Sequence, residues 1–202
     1  MAPITCAKSS DAPALAELVF AAAPLMLSEL FGDGDETLAR DFLAFCFNEP
    51  AGQFGYANHF VIRDAMSVVA CACVWHNQLP TDFDQATLAQ IVAYFGLAKA
   101  KDILKRNEVY SAEIKHPKVH QIALGHVSVA PRAQRQGLAS MLIQHAETLG
   151  AKMSKDELVI DVEQHNQAAI QCYLNAGFTI VGNSLSGRYQ RYQKVLSGKL
   201  DT

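Results

Sequence analysis

Val127-Ser128-Val129-Ala130-Pro131-Arg132-Ala133-Gln134-Arg135-Gln136-Gly137-Leu138-Ala139-Ser140 joins a β-rich run to a helix through a polar loop holding one glycine. The run from Val119 to Val129 reads as a strand, which Ala130-Pro131-Arg132 ends. Downstream, Leu138, Met141, Leu142, His145, Ala146 and Leu149 fall at helical spacing. They predict an amphipathic helix, with Gly150 expected as its C-cap. Such a junction points unpaired backbone N–H groups and the positive end of the helix dipole at the loop's occupant. A phosphate or pyrophosphate suits that field. Gly137 admits close backbone approach, Ala139 and Ser140 keep the first turn clear, and Arg132 and Arg135 add positive charge.

Two familiar phosphate loops are excluded by spacing. A P-loop requires Gly-Lys-Ser/Thr, which does not occur. The dinucleotide fingerprint needs three spaced glycines, and this loop has one. What is left is a pyrophosphate cradle with a single glycine.

The rest of the chain supplies alternating helices and strands. Ile4 to Ala7 reads as a first strand, and Ser9-Ser10-Asp11 with Pro13 opens a helix that turns Leu15, Leu18, Val19 and Ala22 inward. Gly32-Asp33-Gly34 breaks the chain before a helix striped by Leu38, Phe42, Phe45 and Cys46, and Gly52 to Asn58 is loop. Between His59 and His76, two β-rich runs flank Asp64-Ala65-Met66-Ser67 and predict a hairpin. Asp84 to Asn107 returns to helical spacing through Leu88, Ile91, Val92 and Phe95, with Gly96 dividing it. Leu158 to Val162 is a strand and Gln167 to Ala176 a helix ending at Gly177. Phe178 to Val181 and Arg188 to Val195 complete a strand pair. The pattern is one α/β domain over residues 1–202.

Composition narrows the class. The 202 residues are 50% hydrophobic and 18% charged, a globular balance. No apolar run reaches the roughly 20 residues a bilayer span needs, and the first residues lack a secretion-signal pattern. A cytoplasmic protein is expected, with no membrane partner. A net charge of −3 disfavours nucleic acid. Residues 1–50 are acidic and the remainder basic, either a solvated face or an attraction for a cationic acceptor. The five cysteines are odd in number and include no Cys-x-x-Cys. Cys71 and Cys73 share one face of a strand, where a metal site would need further ligands nearby. Core packing is the expectation, and no metal.

Here the sequence resembles the GNAT superfamily of acyl-CoA-dependent N-acyltransferases. Gln134-Arg135-Gln136-Gly137-Leu138-Ala139 matches the family's Arg/Gln-x-x-Gly-x-Gly/Ala motif, preceded by a matching strand end, Val127 to Pro131. Asn166, Ala169, Tyr173, Gly177 and Phe178 match its Asn-x-x-Ala-x-x-x-Tyr-x-x-x-Gly-Phe segment. The clear match runs from about Val119 to Val181. The resemblance implies a mixed, mostly antiparallel twisted sheet flanked by helices, around a central strand–loop–helix cradle. It makes residues 119–196 the acetyl-CoA-binding core and has residues 1–118 shape the acceptor side.

The resemblance also implies roles. Val127 and Val129 would pair through their backbones with the pantetheine arm of acetyl-CoA, the co-substrate. N–H groups from Arg135, Gln136, Gly137, Leu138, Ala139 and Ser140, with Gln134 at the loop's start, would hold the pyrophosphate. Asn166 would hydrogen-bond the cofactor, or simply cap its helix. The amine acceptor must lose a proton, since an alkyl ammonium has a pKa near roughly 10. The strand position that carries a glutamate base in some histone-modifying members is Ala123. His126, His120 and Glu163 remain as candidates, beside a water chain. The N–H of Val127 would stabilise the oxyanion, and Tyr173 would protonate the leaving thiolate, or else only pack beside the cofactor.

Acceptor identity lies outside the loop. Ala22 to Glu36 (with Leu25, Met26, Leu30 and Phe31), the Gly52 to Asn58 loop and the Gly182 to Gly187 turn are the candidate pocket. A small amine or a peptide N-terminus is expected, on a monomer or homodimer. A catalytically silent acyl-CoA sensor is the competing reading. A serine hydrolase is not supported, because no Gly-x-Ser-x-Gly occurs.

Overall fold

A computed structural model describes residues 3–65 and 67–196. Seven strands follow the order β1-β2-β3-β4-β5-β7-β6, mostly antiparallel, with helices beside them. The chain clusters into two compact units, each gathered from separated segments.

The first unit takes Met1–Cys73, Leu79–Glu108 and His126–Leu138. Strand β1 (Ile4–Cys6) pairs antiparallel with β2 (His59–Arg63), which forms a hairpin with β3 (Val68–Trp75). The register sets Val61 against Cys71 and His59 against Cys73, and a bulge lies between Ile62 and Arg63. Helix α1 (Ala12–Ala22) buries Leu15, Leu18 and Val19, as its spacing requires. A short α2 (Pro24–Leu27) runs into a π turn (Ser28–Gly32), which ends at Asp33 and Gly34, both left-handed with φ of 53° and 93°.

Helix α3 (Glu36–Cys46) differs in phase from its expected stripe. Ala39, Phe42, Leu43 and Cys46 are buried, while Phe45 is 38% exposed and meets Tyr94 with ring centroids 5.2 Å apart. The aromatic bulk of Phe45 suggested a core position, but the 3.6-residue period through Ala39 and Leu43 governs. Helix α4 (Phe83–Glu113) breaks at Gly96, whose φ of 75° and ψ of 162° are not helical. It runs six residues past the Asn107 expected as its end, and Leu88 lies outward at 41% exposure.

One glycine in this unit is dictated by close approach. A Cβ on Gly55 would stand 2.3 Å from the Ala51 carbonyl oxygen and 2.4 Å from that of Pro50. These are backbone atoms, so the Pro50–Gly55 loop must move to admit it. Gly55→Ala is expected to cost about 1–3 kcal/mol, the usual penalty for overpacking. A chemical-denaturation midpoint equal to the parent's would refute this.

The second unit takes Val74–Gln78, Val109–Gly125 and Ala139–Thr202. Strand β4 (Gln121–Val129) pairs in parallel with β5 (Glu157–Glu163), with Gln121 to Ala123 set against Glu157 to Val159. Beyond β5 lie β7 (Tyr189–Val195) and then β6 (Thr179–Asn183), both joined antiparallel. Ile122, Leu142, Ile143, Ala146, Leu158, Val159, Phe178 and Tyr192 fill the core. Arg191 and Asp161 pair at 2.6 Å across β5 and β7.

Helix α5 (Leu138–Lys152) corrects the expected C-cap. Gly150 lies inside the helix, where a Cβ would come 2.5 Å from Leu196 Cδ1 and 3.0 Å from Ile122 Cγ2. It is glycine because the helix packs closely there. The helix is closed at Ser154, with φ of 54°, while the Lys155 N–H returns to the Gly150 carbonyl at 2.9 Å.

Candidate functional site

The cradle begins where β4 ends. The Ala130 N–H donates to the Val69 carbonyl at 2.8 Å, and a 3-10 turn (Pro131–Ala133) reverses the chain. Arg135 and Gly137 then adopt left-handed φ of 61° and 79°, and α5 starts at Leu138. The N–H groups of Leu138, Ala139 and Ser140 belong to the first helical turn, whose donors have no partner inside the helix. Gln134, Arg135, Gln136, Gly137 and Ser140 are exposed. Among the described residues a Cβ on Gly137 would meet nothing within 4 Å, so the space above the loop is open to a ligand. The residues therefore fit a pyrophosphate.

Beside the loop lies an open cleft of about 340 Å³. Leu18 and Ala21 of α1, Val68 of β3 and the Ser128–Arg132 strand end are among its lining. Two polar groups are already engaged here. The Val129 carbonyl, expected to face the pantetheine arm, accepts from Gln134 Nε2 at 3.2 Å. Arg132 pairs with Asp64 at 3.1 Å and donates to Ser67 Oγ, so its charge is partly spent on the β2–β3 turn.

The setting of His126, a base candidate from the sequence, is the feature least visible there. Its φ of 51° is left-handed, unusual for a non-glycine residue inside a strand. Its Nδ1 lies 2.9 Å from Nε2 of His59, and its ring stacks on Phe54 with centroids 5.5 Å apart. His59 Nδ1 lies 3.1 Å from the Gly55 carbonyl, which must accept, so His59 carries its proton on Nδ1. Burial holds His59 down at about 4, against the opposing pull of the Gly55 hydrogen bond. Burial, and then the charge of His59, push His126 well below the ordinary imidazole value. Both rings are neutral at physiological pH. Nothing in the sequence spacing tied His59, 67 residues away, to His126.

The remaining candidates lie in the second unit. Glu163 is held by Arg188 and His165, each at 3.2 Å. His120 faces Glu157 at 3.4 Å on the surface. Asn166 caps α6 (Gln167–Asn175), its Oδ1 accepting from the Ala169 N–H at 3.1 Å. Tyr173 is 5% exposed, edge-on to Phe178 at 5.6 Å, and burial pushes its phenol far above the ordinary value.

The expected acceptor residues separate into two groups. Leu30 and Phe31 are buried, Phe31 against Phe42 at 4.5 Å, so they belong to the core; Leu25 stays 49% exposed. The acids also have local partners. Asp33 pairs with Arg106, Glu36 with Arg40, and Asp35 caps α3 by accepting from the Thr37 and Leu38 N–H groups.

The strand–loop–helix cradle at the end of β4 is the arrangement that the resemblance to acyl-CoA-dependent acyltransferases implies, and comparison with known proteins bears on that class directly. The acetyltransferase (GNAT) family model matches residues 33–178. The chain belongs to the GNAT acetyltransferase family. Comparison with curated protein sequences returns no match. Among solved structures, an N-acetyltransferase from Staphylococcus aureus Mu50 is similar at 16% identity and a TM-score of 0.70, covering 96% of this chain and 100% of its own. A structure described only as an acetyltransferase shares 21% identity at a TM-score of 0.65, with 96% and 100% covered. The ribosomal-protein-S18-alanine N-acetyltransferase from Escherichia coli shares 16% at 0.53, with 100% and 98% covered. At these identities the likeness is one of fold.

Proposed function

We propose that this protein transfers the acetyl group of acetyl-CoA to a primary amine of a small molecule or peptide, by direct attack on the thioester. The observation that carries this is the Gln134–Ser140 cradle, left-handed at Arg135 and Gly137 and open above the loop. Its N–H groups and the α5 dipole hold the pyrophosphate. The cleft along Ser128–Arg132 takes the arm of the cofactor, through the backbone of Val127 and Val129. Asn166 adds a contact from its free amide nitrogen, since its Oδ1 is used as a cap.

In the reaction, the amine nitrogen bonds to the thioester carbon as its proton leaves for His126, Glu163 or water. The N–H of Val127 stabilises the oxyanion. The carbon–sulfur bond then breaks, and Tyr173 protonates the departing CoA thiolate. Among the structural neighbours, the Escherichia coli protein is a ribosomal-protein-S18-alanine N-acetyltransferase. That supports a peptide amine as one acceptor class to test here.

Acetyl-CoA is expected to raise the melting temperature, corresponding to about 2.7 kcal/mol at one hundred times its dissociation constant. Free-thiol detection across a panel of amines and peptide N-termini then measures transfer. No change in melting would refute the cradle, and stabilisation without amine-dependent thiol release would refute the enzyme.

A further inference from the structure

We propose that His59, Cys73 and His126 form a binding site for a thiophilic divalent metal ion, Zn2+ in the first instance, with three protein ligands. The inference is independent of acyl transfer. One ligand atom from each residue lies within 4.8 Å of the other two; the three residues come from three different strands and all belong to the first unit. The placement follows from the backbone. The β2–β3 register sets His59 directly opposite Cys73, so their side chains leave the same face. The left-handed turn of β4 at His126 then brings an imidazole to the same point. His59 and Cys73 are 1% and 2% exposed, so the site is walled by the core.

Three features fit a metal better than packing alone. Two imidazoles and a thiol form the mixed N/S set that Zn2+ prefers, and three protein ligands leave one position open. His59 donates its Nδ1 proton to the Gly55 carbonyl, which leaves the Nε2 lone pair directed at the cluster. A backbone carbonyl on the far ring nitrogen is the usual support of a metal-bound histidine. The loop that presents this carbonyl is closely packed, since a Cβ at Gly55 would collide with the Ala51 and Pro50 carbonyls. Cys71 is turned elsewhere, its thiol donating to the His126 carbonyl at 3.5 Å.

Binding requires small adjustments only. Tetrahedral Zn2+ with bonds of about 2.0–2.1 Å to nitrogen separates two ligand nitrogens by about 3.3 Å. The present 2.9 Å between His59 Nε2 and His126 Nδ1 must open by a few tenths of an ångström. His126 moves its proton from Nδ1 to Nε2, and Cys73 gives up its thiol proton to solvent, one proton released per ion. With Nδ1 of His126 on the metal, the amine proton of the transfer reaction goes to Glu163 or water.

The test uses the full, reduced chain stripped of metal with a chelator. Zn2+ is titrated against a chromophoric competitor, and Co2+ alone serves as the spectroscopic probe. The expected result is one equivalent of tightly bound Zn2+, and a Co2+ complex with a thiolate-to-metal charge-transfer band and tetrahedral visible bands. Cys73→Ser should abolish the charge-transfer band, and Cys6→Ser, at an exposed cysteine, should retain it. Zn2+ affinity in Cys73→Ser should fall by more than the roughly 10–100-fold typical of losing an outer-shell partner. His126→Gln should keep the thiolate band but shift the visible bands, which covers a Cys73→Ser protein that fails to fold. No charge-transfer band in the parent chain overturns the proposal, as does a band that survives in folded Cys73→Ser or visible bands unmoved in His126→Gln.

Discussion

Gly137→Glu should abolish stabilisation by acetyl-CoA while leaving the fold intact. A Cβ here meets no atom of the described residues within 4 Å, so the substitution creates no clash with them. The φ of 79° imposes some backbone strain, about 1 kcal/mol for a residue other than glycine. A carboxylate near a helix N-terminus offsets part of that cost through the dipole. Under the proposed function the full penalty falls on the ligand, because the new carboxylate occupies the volume and the field assigned to pyrophosphate. Juxtaposed like charges cost several kcal/mol, so affinity should fall by roughly a hundredfold or more. Gly137→Ala separates the causes, as it carries the strain without the charge and should retain measurable binding. Calorimetric titration of both variants decides the matter. If Gly137→Glu binds acetyl-CoA as the parent does, the pyrophosphate is held elsewhere.

The periodic elements were legible because burial enforces their periods. Leu142 and Ala146 of α5, Leu15 and Val19 of α1 and the apolar run of β3 lie inside as their spacing required. Misreadings arose where a residue's bulk competed with its phase, as at Phe45, and where a glycine had two explanations. Gly150 looked like a cap because α5 stops near it, yet it serves the contact with Leu196 and Ile122, which is distant in sequence. No local pattern announces such a contact. The acidic N-terminal stretch is a similar case. Composition records the charges of Asp33, Asp35 and Glu36, and only three-dimensional structure records that Arg106, the α3 N-terminus and Arg40 already use them.

The cradle's geometry was legible because it is local. A strand end, a glycine and a helix start lie within a dozen residues, and the chemistry needs little else. The His59–Cys73–His126 cluster was hidden because a register and a bulge create it. A regular hairpin centred on Asp64–Ser67 sets His59 opposite Ala72, which turns it to the other face from Cys73. The bulge between Ile62 and Arg63 shifts the pairing by one residue and brings His59 against Cys73. His126 likewise owes its direction to a left-handed φ that no glycine signals.

Tyr173→Phe should lower kcat by about 10²–10⁴-fold with little change in acetyl-CoA affinity, the range general acid catalysis usually provides. Burial holds the phenol protonated across the whole working pH range, so the group is always in its donating form. The proton matters as the carbon–sulfur bond breaks and hardly in the bound ground state, so the loss belongs in kcat and leaves binding alone. Phenylalanine preserves the ring and its edge-on contact with Phe178 at 5.6 Å, so stability should stay near that of the parent. A tyrosine that only packs makes the opposite forecast, because all its packing survives in the variant. Thiols of low intrinsic pKa provide a second reading. A poor leaving thiolate needs the proton and a good one does not, so an acyl donor with a more acidic thiol should recover much of the lost rate in Tyr173→Phe. Parental turnover in a folded variant that binds acetyl-CoA normally would remove Tyr173 from the chemistry and leave the thiolate to take its proton from water.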